Sequence, residues 1–224
     1  MEVLARIQAG GRAIDCGLAI TQEERAAVQA QRFRVYQRRG YYQPGLRVDR
    51  DAYDEKAAYF LATLHGGRGD LLLGSARLIF GEPDAEFMFP AQKAFEFELP
   101  AAIQETAVCQ RVEVSRVVAE AVQGIVIGGL LTPPGLLQAM SEHGRRLGIR
   151  CGVAVIKLRL LRALQGLGVC LHVIHPARLI YPNDGSVSAY FHHHPDPVAP
   201  VYWLTDEIAP SLERAIERYQ SAGD

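Results

Sequence analysis

Residues 111–118 read Arg-Val-Glu-Val-Ser-Arg-Val-Val. The run has the apolar alternation of a buried β-strand, yet it carries three charged side chains. Ionised groups are costly to bury unless they are paired or used. A carboxyl on a partly desolvated strand has its pKa raised toward the working range, which makes Glu113 a candidate general base. Arg116 would position a substrate beside it. A regular strand places residues three apart on opposite faces. Glu113 and Arg116 therefore share one site only if a bulge lies between them, or else each serves its own face. The plainer alternative is an ion pair of Glu113 with Arg111 or Arg116 that buttresses the sheet.

Three further motifs precede this strand, "RFRVYQRRGYY" at 32–42, "DAYD" at 51–54 and "GSARL" at 74–78. They supply Arg32, Tyr36, Tyr42, Asp51, Asp54 and Arg77. Arg32, Arg77, Asp51 and Asp54 make either a structural ion network tying an N-terminal helix and loop to the sheet, or an acceptor-binding surface. The two readings are compatible, because a network that orders a lid also shapes the pocket. "FHHH" at 191–194 invites a metal reading, but consecutive histidines on a strand point to alternate faces and do not converge on one ion. A polar edge strand and no metal is the expectation.

The elements that must carry these groups follow from the pattern. Residues 17–21 read as a short strand. Thr21 with Glu24 three residues later forms a capping box, opening a helix over 21–39 with Ala27, Val28, Phe33, Val35 and Tyr36 on its apolar face and Gly40 as its stop. An irregular charged connection spans 41–56. Residues 57–65 and 70–80 alternate as two strands joined by "GGRG", a hairpin. After the 111–118 strand, Thr132-Pro-Pro caps a helix running to Gly148. Residues 149–157 form a buried strand, 158–168 a helix, and 169–181 another strand region. The run "SVSAYFHHH" alternates again, and the last twenty residues suggest a terminal helix. Mixed strands with interspersed helices imply one α/β (α+β, mixed-sheet) domain over residues 1–224, with helices on both sheet faces.

Composition narrows the classes. The chain has 224 residues, 49% of them hydrophobic, with a formal net charge of −1. That is enough for one sizeable core, and no basic field points to nucleic acid. No run approaches the ~20 apolar residues of a membrane span, and "MEVLARIQAGGRAIDC" has no apolar core of a signal peptide. Cys16, Cys109, Cys151 and Cys170 lack CxxC spacing, which favours reduced thiols over bridges or zinc. A cytoplasmic protein is expected.

The order and spacing of the four motifs together resemble the autoinducer-synthase branch of the GNAT-like N-acyltransferases. That branch comprises acyl-homoserine-lactone synthases, long-chain N-acyl amino acid synthases and exosortase-associated acyltransferases. The likeness covers about residues 18–170. It implies a GNAT-like fold in which two central strands splay, with no cofactor beyond an acyl carrier protein or coenzyme A thioester as co-substrate. The family's helix arginine falls on Arg32, its aromatic partner on Tyr36, a second aromatic on Tyr42, the acidic pair on Asp51 and Asp54, and the strand arginine on Arg77. Glu113 and Arg116 take the catalytic positions. The homoserine-lactone pattern has Phe at 36 and Trp at 42, associated with an S-adenosylmethionine pocket. The two tyrosines here favour an amino acid acceptor, with S-adenosylmethionine as the alternative. A non-catalytic module that binds acyl chains or carriers is the reading from another class.

Acyl transfer to an amine needs a neutral nucleophile, hence a carboxylate to take its proton directly or through one water. It also needs preorganised donors for the tetrahedral oxyanion. The acyl chain is expected along Phe87, Met88, Phe89, Phe95 and Phe97, with Val155 and Leu164 as far walls. Ordinary core aromatics are the alternative. Acyl carrier proteins are acidic, so a docking patch is expected from Arg145, Arg146, Arg150, Lys157, Arg159 and Arg162, against a solvated basic face.

Overall fold

The structure, a computed structural model, describes residues 1–9, 12–66, 69–82, 89–120, 126–192 and 195–221. The chain opens with strands β1 (Glu2–Ala9) and β2 (Arg12–Leu18), then helix α1 (Gln22–Arg38) and strands β3 (Ala57–Leu64) and β4 (Leu71–Phe80). Short elements α2 (Pro90–Ala94), β5 (Phe95–Phe97) and α3 (Ala101–Gln104) lead to β6 (Arg111–Ala119) and the long helix α4 (Val126–Arg146). Strand β7 (Cys151–Lys157) and helix α5 (Leu158–Gly166) follow, then β8 (His172–Val173), β9 (Ala177–Leu179), the helical turn α6 (Ser188–Phe191), β10 (Val198–Leu204) and α7 (Thr205–Ser221). Eight strands form one sheet in the order β1-β2-β3-β4-β6-β7-β10-β8, while β5 and β9 pair separately. All pairs are antiparallel except β6 with β7.

Helices cover both faces. On one, Phe60, Leu78, Val112 and Val114 pack with Leu136 and Met140 of α4 and Leu212 of α7. On the other, α1 lies across β3, β4 and β6, beside a smaller cluster of Ile79, Phe89, Ala91, Val153 and Ile174. Helix α1 is fixed at its start by the expected capping box. Thr21 Oγ1 accepts from Glu24 N at 3.2 Å, and the Glu24 carboxylate accepts from Thr21 N at 3.1 Å. Its buried face is Val28, Gln31, Arg32, Val35 and Tyr36, with Ala27 exposed and Phe33 half-buried. Gly40, at φ +68°, turns the chain where only glycine is unstrained.

Several expected boundaries move. Of the strand expected at 17–21 only Gly17 and Leu18 are strand, the end of β2, which pairs with β1 as a hairpin. Thr132 does not begin a helix, because α4 runs from Val126 straight through Pro133 and Pro134. Burial of its apolar side offsets the missing N–H donors. Leu131, Leu136, Ala139 and Met140 are core residues, and Gly135 sits so close to β1 and β2 that a Cβ would stand 2.6 Å from Ile7 Cδ1 and 2.8 Å from Cys16 Sγ. The run read as an alternating strand around 186–194 contains the helical turn α6 instead, and β10 was not anticipated. Among the described residues no helix is long and apolar enough to cross a membrane.

Two irregularities in the middle of the sheet prepare the site. Opposite β4, Arg77 faces Ser115 but Ser75 faces Val118, so β6 holds one residue more than its partner. Arg116 is at φ +55°, the one non-glycine residue with positive φ among those described. This is a bulge. On its other side β6 pairs with β7 from Arg111↔Cys151 only to Val114↔Ala154, although both strands continue.

Candidate active site

The parted ends of β6 and β7 open a cleft of about 880 Å³. Val114–Ala119 form one wall and Ala154–Lys157 the other. Inside, the lining is apolar, with Leu137, Leu164, Leu171, Val201 and Trp203. At the mouth stand Arg39, Lys157, Arg159 and Arg162 with Asp196. A cleft that is apolar within and cationic at its rim suits a ligand with a fatty tail and an anionic stem.

The bulge decides what faces this cleft. Glu113 pairs with Ile79 and Ser115 with Arg77, which puts these four on one face. The extra residue turns Arg116 onto that face as well, where it meets Asp49, Asp51 and the Tyr36 ring. Val118 follows there against Val35 and Tyr36. Glu113 and Arg116 thus share a face.

Glu113 is 2% exposed and makes no ion pair among the described residues. Its Oε2 accepts from Ala91 N at 2.8 Å. Burial pushes its pKa from 4.5 up to about 8, against the opposing pull of the Ala91 N–H, Arg77 and Arg116. The alternative of a buttressing pair with Arg111 or Arg116 is not formed among the described residues: Arg111 donates to the Thr106 and Gln104 carbonyls, and Arg116 pairs with Asp49 and Asp51. Glu113 does not itself line the cleft, which begins at its neighbour Val114.

The charged motifs converge next to it. Arg32 binds Asp54 through two hydrogen bonds, of 2.9 and 3.0 Å, and also reaches Asp49. Arg77 donates to Asp54 at 2.7 Å, Asp51 at 2.6 Å and Ser115 Oγ at 3.0 Å. Arg116 lies 3.2 Å from Asp49 and 3.6 Å from Asp51. Arg32 and Arg77 are both 1% exposed, so their charges persist only because the aspartates match them. Burial alone would raise the Asp54 pKa, but Arg32 and Arg77 hold it well below the usual range. Tyr59 adds a hydroxyl to Asp54 at 2.8 Å. Helix α1, the 41–56 connection, β4 and β6 are locked together at one point. Of the three arginines, Arg116 alone lines the cleft.

Aromatic rings form the front wall. Tyr36 stacks on Tyr190 of α6 with centroids 6.0 Å apart, and Tyr41 meets both edge-on at 5.3 and 5.1 Å. Tyr42 packs behind them against Phe33 and Tyr36, off the cleft. Lys157 sits 4.5 Å over the Tyr190 ring and donates to the Tyr190 and Asp196 carbonyls. Its burial lowers its pKa to about 8, with Asp196 opposing.

Other expected residues fall elsewhere. Phe89 belongs to the side cluster with Ile79 and Val153, and Phe95 packs toward Phe191 with centroids 6.4 Å apart. Neither lines the cleft, whereas Val155 and Leu164 do. Phe87 and Met88 lie outside the described residues. The basic set divides. Arg145 and Arg146 end α4 paired to Glu142, with Arg146 also on Glu2, and Arg150 is 4.0 Å from Asp206 at the entry to β7. Lys157 ends that strand and Arg159 and Arg162 follow it, about 20 Å from its entry for its length. No single patch of six exists. Among the described residues no three His, Cys, Asp or Glu side chains are grouped to hold a metal ion, and His193 and His194 lie outside them. Sequence reasoning passed over Asp49, Ser115, Tyr41 and Tyr190. Asp49 was signalled by the spacing of "DRDAYD", and Tyr41 by its place beside Tyr42.

A mixed sheet flanked by helices, with a bulge and two parallel strands that part around a cleft, is a GNAT-like fold. No protein-family model matches the chain, and no curated protein matches it. Among solved structures, TofI in a ternary complex with an inhibitor and MTA has a TM-score of 0.59 at 19% identity, covering 91% of this chain and 98% of its own. FeeM, an N-acyl amino acid synthase from uncultured soil microbes, has a TM-score of 0.54 at 14% identity, covering 87% and 94%. The CoA-dependent acyl-homoserine lactone synthase MesI has 0.52 at 19% identity, covering 91% and 94%. The chain shares the fold of these solved structures.

Proposed function

We propose that this protein is an N-acyltransferase that moves a long-chain fatty acyl group from a carrier thioester to the α-amine of an amino acid. The observation that carries the reading is the parting of β6 and β7 after Val114, one residue beyond Glu113, which sets an apolar interior next to a face bearing a buried carboxyl with no ion pair among the described residues and a bulged arginine. The acyl chain enters the apolar interior. The carrier's anionic stem meets Lys157, Arg159 and Arg162 at the mouth, which suits acyl carrier protein as the donor. Arg116 holds the acceptor's carboxylate beside Asp49 and Asp51, since of the three arginines it alone lines the cleft. Glu113 takes the amine proton, through one water because it stands just outside the cleft lining. The amine nitrogen then attacks the thioester carbon, the β6 peptide N–H groups released from β7 stabilise the oxyanion, and the carrier leaves as its thiol. Arg32, Arg77, Asp51 and Asp54 act as positioning residues that fix the face on which this happens.

A second acceptor, S-adenosylmethionine with closure to a homoserine lactone, is favoured by the wall of Tyr36, Tyr41 and Tyr190, whose faces also attract a sulfonium. Mass spectrometry of lipids from cells expressing the protein separates these readings. N-acyl amino acids are the expected product, acyl-homoserine lactones would replace the acceptor, and neither product would leave only a binding role.

A further inference from the structure

We infer that Trp203, seated on Gly152, is the floor of the acyl tunnel and sets the longest chain the protein accepts. The inference rests on the acyl-transfer reading for its ligand and on the register of the sheet for its geometry. Strand β10 pairs with β7 so that Val198 faces Lys157, Val201 faces Ala154 and Trp203 faces Gly152. The cleft therefore runs down β7 from its cationic mouth at Lys157, and Trp203 is the deepest lining residue on β10. It lies two positions below the point where β6 and β7 close together at Val114 and Ala154, and about 17 Å of strand below Lys157.

The seat is specific. A Cβ on residue 152 would stand 2.2 Å from Trp203 Cζ2, 2.6 Å from Cε2 and 2.8 Å from Cη2. The indole thus lies flat over bare strand backbone, a position that only glycine leaves open. Leu137, Leu164 and Leu171 complete the deep end, so the group that arrives there is the hydrocarbon terminus rather than the thioester. A large planar ring that cannot sink further meets an overlong chain as a stop, and hydrophobic pockets resolve chain lengths by about tenfold or more per added methylene. The two residues therefore act in opposite directions. Trp203→Ala deepens the tunnel. Gly152→Ala lifts the indole off the strand into the cleft and shortens it.

The protein contains one tryptophan, so its intrinsic fluorescence reports on this position alone. Purified protein is titrated, without acceptor, with straight-chain acyl-coenzyme A thioesters from short to long. The same series, on coenzyme A and on acyl carrier protein, is then assayed for thiol release with mixed amino acids and S-adenosylmethionine. Short chains should leave the emission unchanged, and chains above a threshold length should shift it. Trp203→Ala and the milder Trp203→Leu should raise the rate with chains longer than that threshold by about tenfold relative to shorter ones. Gly152→Ala should shift the preference the other way. An emission response independent of chain length, or a length preference unchanged in a folded Trp203→Leu, overturns the inference while leaving acyl transfer intact. Length-dependent fluorescence with no thiol release from any donor would instead sink the transferase reading and keep the tunnel.

Discussion

Glu113→Gln keeps the side chain's size and an oxygen to accept from the Ala91 N–H, but removes the ionisable proton. Burial raises the Glu113 pKa from 4.5 to about 8. Between those two pH values the folded protein retains a proton that the unfolded chain has released. The native state then binds more protons, so this group's contribution to stability falls as the pH rises through that window. Each pH unit costs about 1.4 kcal/mol. Over the span from 4.5 to about 8 the loss accumulates to about 5 kcal/mol, then levels off as the folded carboxyl ionises. Glutamine carries no such slope. Urea denaturation of both proteins at intervals across and beyond this window should show the variant gaining on the wild type by several kcal/mol toward alkaline pH. Parallel stability curves would refute the reasoning, because they would mean that Glu113 is solvated and ionises in the ordinary range. In the transfer assay the same variant should lose about 10²–10⁴-fold in rate, and the wild-type rate should climb with pH to about 8.

Arg116→Gly removes the guanidinium and its pairs with Asp49 and Asp51 while relieving the φ of +55°, so it should raise the acceptor KM by tenfold or more, on the order of one lost charged contact. A fall in Tm with normal kinetics would assign Arg116 to structure alone. Asp54→Ala leaves Arg32 and Arg77 buried without their shared partner, and should cost about 3–5 kcal/mol in urea unfolding; an unchanged midpoint would mean the cluster is hydrated. Reversing Arg159 and Arg162 to Glu should weaken use of carrier-bound donors far more than use of a short free thioester, most at low salt. Reversing Arg145 and Arg146, at the other end of β7, should leave that ratio unchanged.

What the sequence made legible and what it hid follow from how local each signal is. The α1 capping box, the β3–β4 hairpin and the charged β6 strand rest on neighbours within a few residues, and all stand in the structure. The bulge could be stated as a condition for Glu113 and Arg116 to share a face, but its position depends on pairing with β4, which no local pattern carries. The helix boundary at Thr132 misled because packing of α4 on β1 and β2 overrode two prolines. Phe89 and Phe95 have the composition of a tunnel, yet side-chain type does not reveal which cluster a buried ring joins. The basic residues are close along the chain but separated by the length of β7. Tyr190 was hidden because period-two alternation around it belongs to a helical turn.

The most direct test of the central claim is thiol release by the purified protein from a long-chain acyl carrier thioester, with product mass measured in the same reaction. Acyl transfer predicts release that depends on added amino acid, an N-acyl amino acid of matching mass, and loss of both in Glu113→Gln. Release of thiol at the same rate in the wild type and Glu113→Gln, with no acylated amine formed, would contradict it.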